Sequence, residues 1–310
     1  MLPHLKKFLV MCSGLCLALS GAARAEDQPA TIRHSFFVAG PSFTGIIDED
    51  GKEAWDSGRA AARDGQVLPD GNVLIAWGDE VKEFTRDKKV VWHYKKSPDN
   101  QEIGTVQRLD KGVTLITELG AKPRLMEVSS KGEILLEFPL QPETDNGHMQ
   151  TRMARKLPGG NYLVPHLLAF KVKEYTPQGQ VVRAIATDLA ELGGRPAENW
   201  PFTAIQLDKG RTLVTLTHGN KVAEFSEKGA VVWSVSNADL PGKPLADPCG
   251  AHRLPNGNTV IASYGASGPV KALEVTPEKK VVWTYTGKHR IHEIQVLTTN
   301  GKPVEGVPLR

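Results

Sequence analysis

The residues best able to do chemistry in this chain are histidines, arginines and a glutamate that fall at matching places in a repeated pattern. Histidine can act as an acid, a base or a nucleophile near neutral pH. Arginine suits planar anions such as carboxylate or sulfate. These side chains predict a polar ligand-binding surface, to which His148 adds a further imidazole; the ligand-binding candidates are Arg63, Trp77, Glu118, Arg152, His166, His218, His252 and His292.

For catalysis, the first candidate is His292, and His166 and His218 come second. An enzyme of this kind needs His292, Arg152 and one of the other two imidazoles within hydrogen-bond reach of one bound atom. The alternative for each histidine is a structural role in lining a wet channel. No two histidines have the close spacing typical of metal ligands, so we predict no metal site. Zinc held by scattered histidines stays open as an alternative.

The elements that must position these residues come from an internal repeat. The phrase "RLPNGNTVIASYG" has close relatives in "VLPDGNVLIAWG" and "KLPGGNYLVPH". Each unit contains four runs of strand-forming residues separated by turn signals, which is typical of one β-propeller blade. The turn glycines recur every 41 to 50 residues, at Gly71, Gly112, Gly160, Gly210, Gly257 and Gly301.

The two ends of the repeat complete one another. "HEIQVLTTNG" near the carboxyl end is a first strand with no later strands, whereas "HSFFVAG" and "FTGIIDEDGKEAWDS" are later strands without a first one. Joining them removes the open sheet edges and gives six units. We therefore predict an all-β fold: a six-bladed β-propeller of four-stranded antiparallel blades, closed by pairing of the N- and C-terminal strands. The site candidates should share one mouth of its channel.

Tryptophan recurs in the fourth strand of four units, at Trp55, Trp92, Trp233 and Trp283. A large apolar side chain at a recurring slot is expected to pack between neighbouring blades. Arg183 occupies the slot in another unit, where we expect a more exposed or ion-paired setting. Trp200 and Phe202, in "AENWPF", either pack a long loop onto its blade or form a platform for a sugar ring.

Residues 1–25 have the pattern of a secretory signal peptide, with a basic start, an apolar stretch and the sequence Ala-Arg-Ala at the end. Cleavage there leaves 26–310 as a single propeller domain, periplasmic or secreted, with no membrane span. Basic and acidic residues then balance, which argues against nucleic acid as a partner. Cys249 remains as the only cysteine, so we predict no internal disulfide, a small, partly buried thiol rather than a nucleophile, and a monomer.

The phrases "RLPNGNTVIA" and "EVTPEKKVVWTY" resemble repeats of the arylsulfotransferase-like and pyrroloquinoline-quinone-like β-propeller superfamily, over the whole mature chain. Quinoprotein dehydrogenases of that superfamily usually have eight blades and commonly carry adjacent cysteines. This chain departs from both features, so we expect no quinone and no other cofactor. Arylsulfotransferases use a channel histidine in an "HD" context, which His292 matches in "HEIQVL" with Glu293 in place of aspartate.

Three functions follow from these observations. The favoured one is binding of a small polar or anionic ligand, a glycan or a protein partner at the channel mouth. The second is an enzyme that uses a channel histidine, either a sulfuryl transferase or a lyase or hydrolase of acidic polysaccharide. The third is a periplasmic scaffold, which predicts an exposed apolar patch on a blade rim instead of a polar mouth.

Overall fold

The computed structural model of the protein describes residues 31–310, and the predicted leader with Cys12 and Cys16 lies outside them. The described chain forms six antiparallel sheets arranged as the blades of a β-propeller. The predicted fold class and blade number are confirmed. No helix in this part of the chain has the length and apolar character needed to cross a lipid bilayer.

Each blade is a meander of four strands, and the first strand is the innermost. Blade 1 is shared between the chain ends and carries one extra short strand. Blade 1 contains β24 (Glu293–Thr299), β1 (His34–Ala39), β2 (Thr44–Ile47), β3 (Glu53–Asp56) and the extra strand β25 (Lys302–Pro303). Blade 2 contains β4 (Asp64–Val67), β5 (Val73–Ala76), β6 (Glu80–Phe84) and β7 (Val90–Lys95). Blade 3 contains β8 (Asn100–Arg108), β9 (Thr114–Gly120), β10 (Arg124–Val128) and β11 (Ile134–Pro139).

Blades 4 to 6 follow the same plan. Blade 4 contains β12 (Arg155–Lys156), β13 (Tyr162–His166), β14 (Lys171–Tyr175) and β15 (Val181–Ala186). Blade 5 contains β16 (Asn199–Gln206), β17 (Thr212–His218), β18 (Lys221–Phe225) and β19 (Val231–Ser236). Blade 6 contains β20 (Pro248–Arg253), β21 (Thr259–Ser263), β22 (Ala272–Val275) and β23 (Val281–Tyr285). Five single turns of 3-10 helix lie in the connections, at Asp110–Gly112, Gly147–Met149, Ala190–Leu192, Arg195–Ala197 and Asp208–Gly210.

The ring closes where the sequence predicts. Strand β24 pairs antiparallel with β1, with Phe36 opposite Val296 and Ala39 opposite Glu293. This pairing joins segments more than 250 residues apart, so both ends of the described chain are held in one sheet. The exposed backbone edges that an open ring would leave are thereby removed.

Tight turns between the first and second strands of the blades explain the recurring glycines. Gly71 and Gly257 both have φ of 88°, a left-handed conformation that side chains with a Cβ rarely adopt. The second strands are buried on both faces, because they lie in the middle of stacked sheets; β5 is buried along its whole length. Apolar side chains fill the spaces between neighbouring blades, as where Leu213 and Val222 of blade 5 meet Ile261 of blade 6.

The fourth-strand tryptophans pack against the next blade, as expected. Nε1 of Trp233 donates to the carbonyl of Pro277 at 2.8 Å, and Nε1 of Trp55 donates to the carbonyl of Arg86 at 2.9 Å. Arg183, which occupies the same slot, lies 3.9 Å from a carboxylate oxygen of Glu174. It is therefore in an ion-paired setting.

Third-strand glutamates add polar links between blades. The carboxylate of Glu83 in blade 2 accepts a hydrogen bond of 2.5 Å from Arg108 in blade 3. Glu224 in blade 5 makes the equivalent contact of 2.5 Å with Arg253 in blade 6. In these blades the repeated glutamate pairs with a cation on the inner strand of the following blade, whereas Glu174 pairs with Arg183 of its own blade.

The channel has two different ends. The loop mouth is formed by the starts of the inner strands and by the links between second and third strands. The hairpin mouth is formed by the turns between first and second strands, and residues 304–310 cross it to reach the channel wall. The tail's contact with blade 6 is a bridge in which the amide of Arg253 donates to the carbonyl of Leu309.

Candidate functional site

Five polar side chains converge at the loop mouth: Arg63, Glu102, His148, Arg152 and His292. Nη2 of Arg63 lies 2.9 Å from Oε2 of Glu102, and Nδ1 of His148 lies 3.1 Å from Oε1 of the same carboxylate. Nη2 of Arg152 is 3.4 Å from that Oε1 and also donates to the backbone carbonyl of His148. One carboxylate is thus shared by two guanidinium groups and one imidazole.

The electrostatics of this cluster favour added negative charge. Burial opposes ionisation of Glu102, but the hydrogen bond with His148 and the charges of Arg152 and Arg63 outweigh it and hold its pKa below the usual value. Burial lowers the pKa of Arg152 to about 10, so its guanidinium stays charged at neutral pH. Arg63 keeps 31% of its side chain exposed, whereas Arg152 keeps only 2%. The cluster therefore holds two cations against one anion, with one cation open to solvent.

His292 is held in one tautomer beside this cluster. Its Nδ1 donates to the carbonyl of Arg63 at 2.9 Å, which leaves Nε2 as the unprotonated nitrogen. Burial and the nearby charge of Arg152 lower the pKa of the imidazole to about 3, so the ring is neutral at physiological pH. Among the described residues Nε2 of His292 has no hydrogen-bond partner, and the surrounding protein does not enclose this atom completely. A ligand can therefore use this nitrogen as an acceptor.

Aromatic and apolar side chains form the remainder of the loop mouth. The rings of Phe202 and Tyr264 stand edge-on to His292, with centroid distances of 4.8 and 5.5 Å. Phe202 and Cys249 belong to a buried apolar cluster with Leu167. Burial raises the pKa of the Cys249 thiol. We expected a partly buried thiol, and Cys249 is almost fully buried as a packed interior residue.

Three candidates from the sequence have side chains inside the blades. Nε2 of His166 lies 3.0 Å from the hydroxyl of Tyr175, and burial holds the pKa of this histidine well below its usual value. Glu118 is fully buried, where Tyr94 and Arg124 contact its carboxylate. Trp77 is also buried and donates from Nε1 to the carbonyl of Ala60. None of these three side chains shares a hydrogen-bond partner with His292 among the described residues.

The other two candidates differ from one another. His218 lies on the surface, stacked on Trp200 with ring centroids 4.5 Å apart and paired with Glu198 at 2.9 Å. His252 is buried in the channel wall, where its Nδ1 accepts the amide of Val296. Burial and the positive charge of Arg310 lower the pKa of His252 to about 3. The structure thus unites Arg63, Arg152 and His292, and places the other candidates elsewhere.

A second polar cluster, in the channel wall, was not foreseen from the sequence. Asp64 and Glu293 are fully buried, and the guanidinium groups of Arg155 and Arg310 lie between them. One signal was available, because Asp64 directly follows Arg63 and Glu293 directly follows His292 on inner strands that the repeat places side by side. Glu102, which completes the loop mouth, was also missed. The repeat aligns Gly104 with the loop-mouth positions of the other units, and Glu102 lies two residues before it.

A cavity of about 510 Å³ opens at the hairpin mouth. Its wall includes Gln66, Gln107, Lys156 and Gln206, and the tail from Val307 to Arg310 forms one side. No group of three or more histidine, cysteine, aspartate or glutamate side chains within 31–310 has an arrangement able to hold a metal ion.

Comparisons with known proteins identify the fold. No protein-family model and no curated protein matches the chain. Among solved structures, a protein of unknown function from Bacteroides caccae matches with a TM-score of 0.73 and 24% identity, covering 84% of this chain and 98% of that one.

Two other solved structures match at greater distance. Virginiamycin B lyase from Staphylococcus aureus matches with a TM-score of 0.53 and 15% identity, over 73% of this chain and 70% of that one. A catalytically inactive form of this lyase with quinupristin matches with a TM-score of 0.56 and 15% identity, over 81% of this chain and 85% of that one. At such identities the likeness is one of fold alone.

Proposed function

We propose that this protein is an exported β-propeller that binds a small anionic ligand at the loop mouth. The observation that carries the proposal is the imbalance of charge there, with Arg63 and Arg152 facing the single carboxylate of Glu102. The leader-like residues 1–25 support export, and a periplasmic or secreted location follows from it. A carboxylate or sulfate group is the ligand chemistry that an exposed guanidinium recognises best.

The neighbouring groups fit such a ligand. Arg63 supplies a charged donor at the surface, and Nε2 of His292 supplies an acceptor for a hydroxyl of the same molecule. The edge-on rings of Phe202 and Tyr264 add apolar contact area next to these polar groups. An acidic sugar, which combines a carboxylate, hydroxyls and apolar ring faces, has this set of features.

Isothermal titration with glucuronate, 4-nitrophenyl sulfate and neutral glucose tests the proposal. We expect the two anions to bind and glucose not to bind. Arg63→Gln should weaken binding of the anions by about 30-fold, since a hydrogen bond to a charged group contributes about 2 kcal/mol. The matched control is Arg33→Gln, which replaces an exposed arginine that pairs with Asp50 in blade 1, away from the loop mouth. Equal binding of glucose, or equal losses in both variants, contradicts the proposal.

A second candidate function, sulfuryl transfer, is favoured by the tautomer of His292. Attack by Nε2 on an aryl sulfate forms an N–S bond as the S–O bond to the aryl group breaks, and the phenolate leaves; a phenol acceptor then takes the sulfuryl group. This reading also rests on the resemblance of "HEIQVL" to arylsulfotransferases. Release of 4-nitrophenol from 4-nitrophenyl sulfate in the presence of phenol, lost in His292→Ala, is the expected result. Binding without release leaves the binding function alone.

A further inference from the structure

The tail that crosses the hairpin mouth is attached in an uneven way. Val307 and Leu309 are 85% and 41% exposed, whereas the final side chain, Arg310, is buried. Three hydrogen bonds hold the backbone of this segment to the propeller: the amide of Val304 donates to the carbonyl of Leu297, and the carbonyls of Leu309 and Arg310 accept from the amide of Arg253 and from Nε of Arg155. A segment exposed along most of its length and held chiefly at its last two residues is suited to displacement.

The place that Arg310 occupies is an anionic pocket. Its Nη1 lies 3.1 Å from Oε1 of Glu293 and 3.4 Å from Oδ1 of Asp64, and its Nη2 donates to Oε1 of Gln66 at 3.0 Å. Arg155 is the other cation of this pocket, at 2.8 Å from Asp64. Without Arg310, two buried carboxylates would face a single guanidinium, and a buried charge without a partner is strongly unfavourable.

A further feature indicates a site that takes a ligand. Oε2 of Glu293 is buried and has no hydrogen-bond partner, so the pocket retains acceptor capacity even with Arg310 in place. The adjoining cavity of about 510 Å³ is lined by amide side chains, including Gln107 and Gln206, which suit a peptide backbone. The tail itself shows that an extended peptide fits there, because Leu309 bridges to the edge of β20.

We propose that the hairpin mouth is a binding site for an arginine-bearing peptide segment, which Arg310 occupies within the same chain. The guanidinium of the incoming peptide takes the place of Arg310 between Asp64 and Glu293, and its backbone follows the path of residues 306–309. A tethered tail has an effective concentration in the millimolar range, so it competes strongly with a free peptide. The peptide enters from the end of the channel opposite the loop mouth, and its pocket uses residues different from those of the proposed anion site, although Asp64 and Glu293 directly follow Arg63 and His292 on their strands.

Fluorescence anisotropy with a labelled Gly-Val-Pro-Leu-Arg peptide tests this proposal on the full chain. We expect Arg310→Ala to bind the peptide at least tenfold more tightly than the unchanged protein, because the competing side chain is gone. Lys302→Ala, which removes an exposed cation from β25 just before the tail, should bind like the unchanged protein. The peptide Gly-Val-Pro-Leu-Gln should not bind any of these proteins.

Chemical rescue gives a second measurement. Ethylguanidinium at millimolar concentration should raise the melting temperature of Arg310→Ala, whereas its neutral analogue ethylurea should not. If Arg310→Ala does not fold, Arg310→Lys keeps a cation in the pocket and should still bind the arginine peptide more tightly than the unchanged protein. Binding of both peptides alike, no gain in either variant, or rescue by ethylurea overturns the proposal. None of these outcomes tests anion binding at Arg63, which the titration with glucuronate measures separately.

Discussion

Replacement of Asp64 by asparagine removes one charge from the centre of the ring with almost no change in shape. The carboxylate is fully buried and accepts hydrogen bonds from Arg155 at 2.8 Å and from the amides of Gly65 and Val106 at 2.8 and 3.0 Å. Burial opposes its ionisation, but the charges of Arg155 and Arg310 outweigh it and hold the pKa of Asp64 below its usual value. In the folded protein Asp64 is therefore ionised, and its negative charge stabilises the buried guanidinium groups of Arg155 and Arg310.

Breaking a buried ion pair by removing one partner costs about 3–5 kcal/mol, because the remaining charge stays buried and uncompensated. We expect Asp64→Asn to lower the free energy of unfolding by about that amount, and the melting temperature by roughly 10 °C. Urea denaturation followed by tryptophan fluorescence measures it. The matched control, Asp50→Asn, breaks an exposed pair with Arg33 and should cost less than about 1 kcal/mol. Similar losses in both variants refute the reasoning.

Three further outcomes are expected. Burial and the charge of Asp64 raise the pKa of Glu293 from 4.5 to about 7. The stability gained from protonation of Glu293 is therefore complete below pH 4.5 and is lost as the pH rises through about 7. The free energy of unfolding, measured relative to Glu293→Gln, should fall over that interval, and a constant difference contradicts this. Gly250→Ala places a Cβ 2.6 Å from the Glu293 carboxylate and should cost more than about 2 kcal/mol, whereas Gly268→Ala meets nothing within 4 Å and should be near neutral by the same denaturation assay. The buried thiol of Cys249 should react with a thiol reagent only in denaturant, and rapid reaction of the folded protein would show that the apolar cluster is open.

The architecture was predictable because it is written many times along the chain. Each turn glycine, such as Gly71, meets the same left-handed backbone requirement, and each unit offers the same four strands. The closing pair of strands was predictable as well, since the terminal segments lacked only one another. The fourth-strand tryptophans, such as Trp233, were expected between blades and lie there. Repetition makes such inferences safe, because an error in one unit is corrected by the others.

The candidate site was predictable only in part, because equal spacing in sequence does not give equal side-chain direction here. The inner strands are interrupted near the loop mouth by register shifts, as between Pro201 and Ala204 and between Pro248 and Ala251. A bulge adds one residue to one strand and re-aims the side chains beyond it. Met153, with φ of 33°, distorts the equivalent place in blade 4.

The order of residues along the chain was enough to predict the six-unit ring, its closure and the kinds of side chain available at the loop mouth. The folded ring was needed to show that Arg63, Arg152 and His292 meet there, while the side chain of His166 lies inside its blade. It alone decided that Arg310 reaches Asp64, a contact between residues 246 positions apart. The physical reason is that strand pairing is set by local patterns repeated along the chain. Ion pairs across the channel depend instead on where the closed ring brings single, non-repeated side chains.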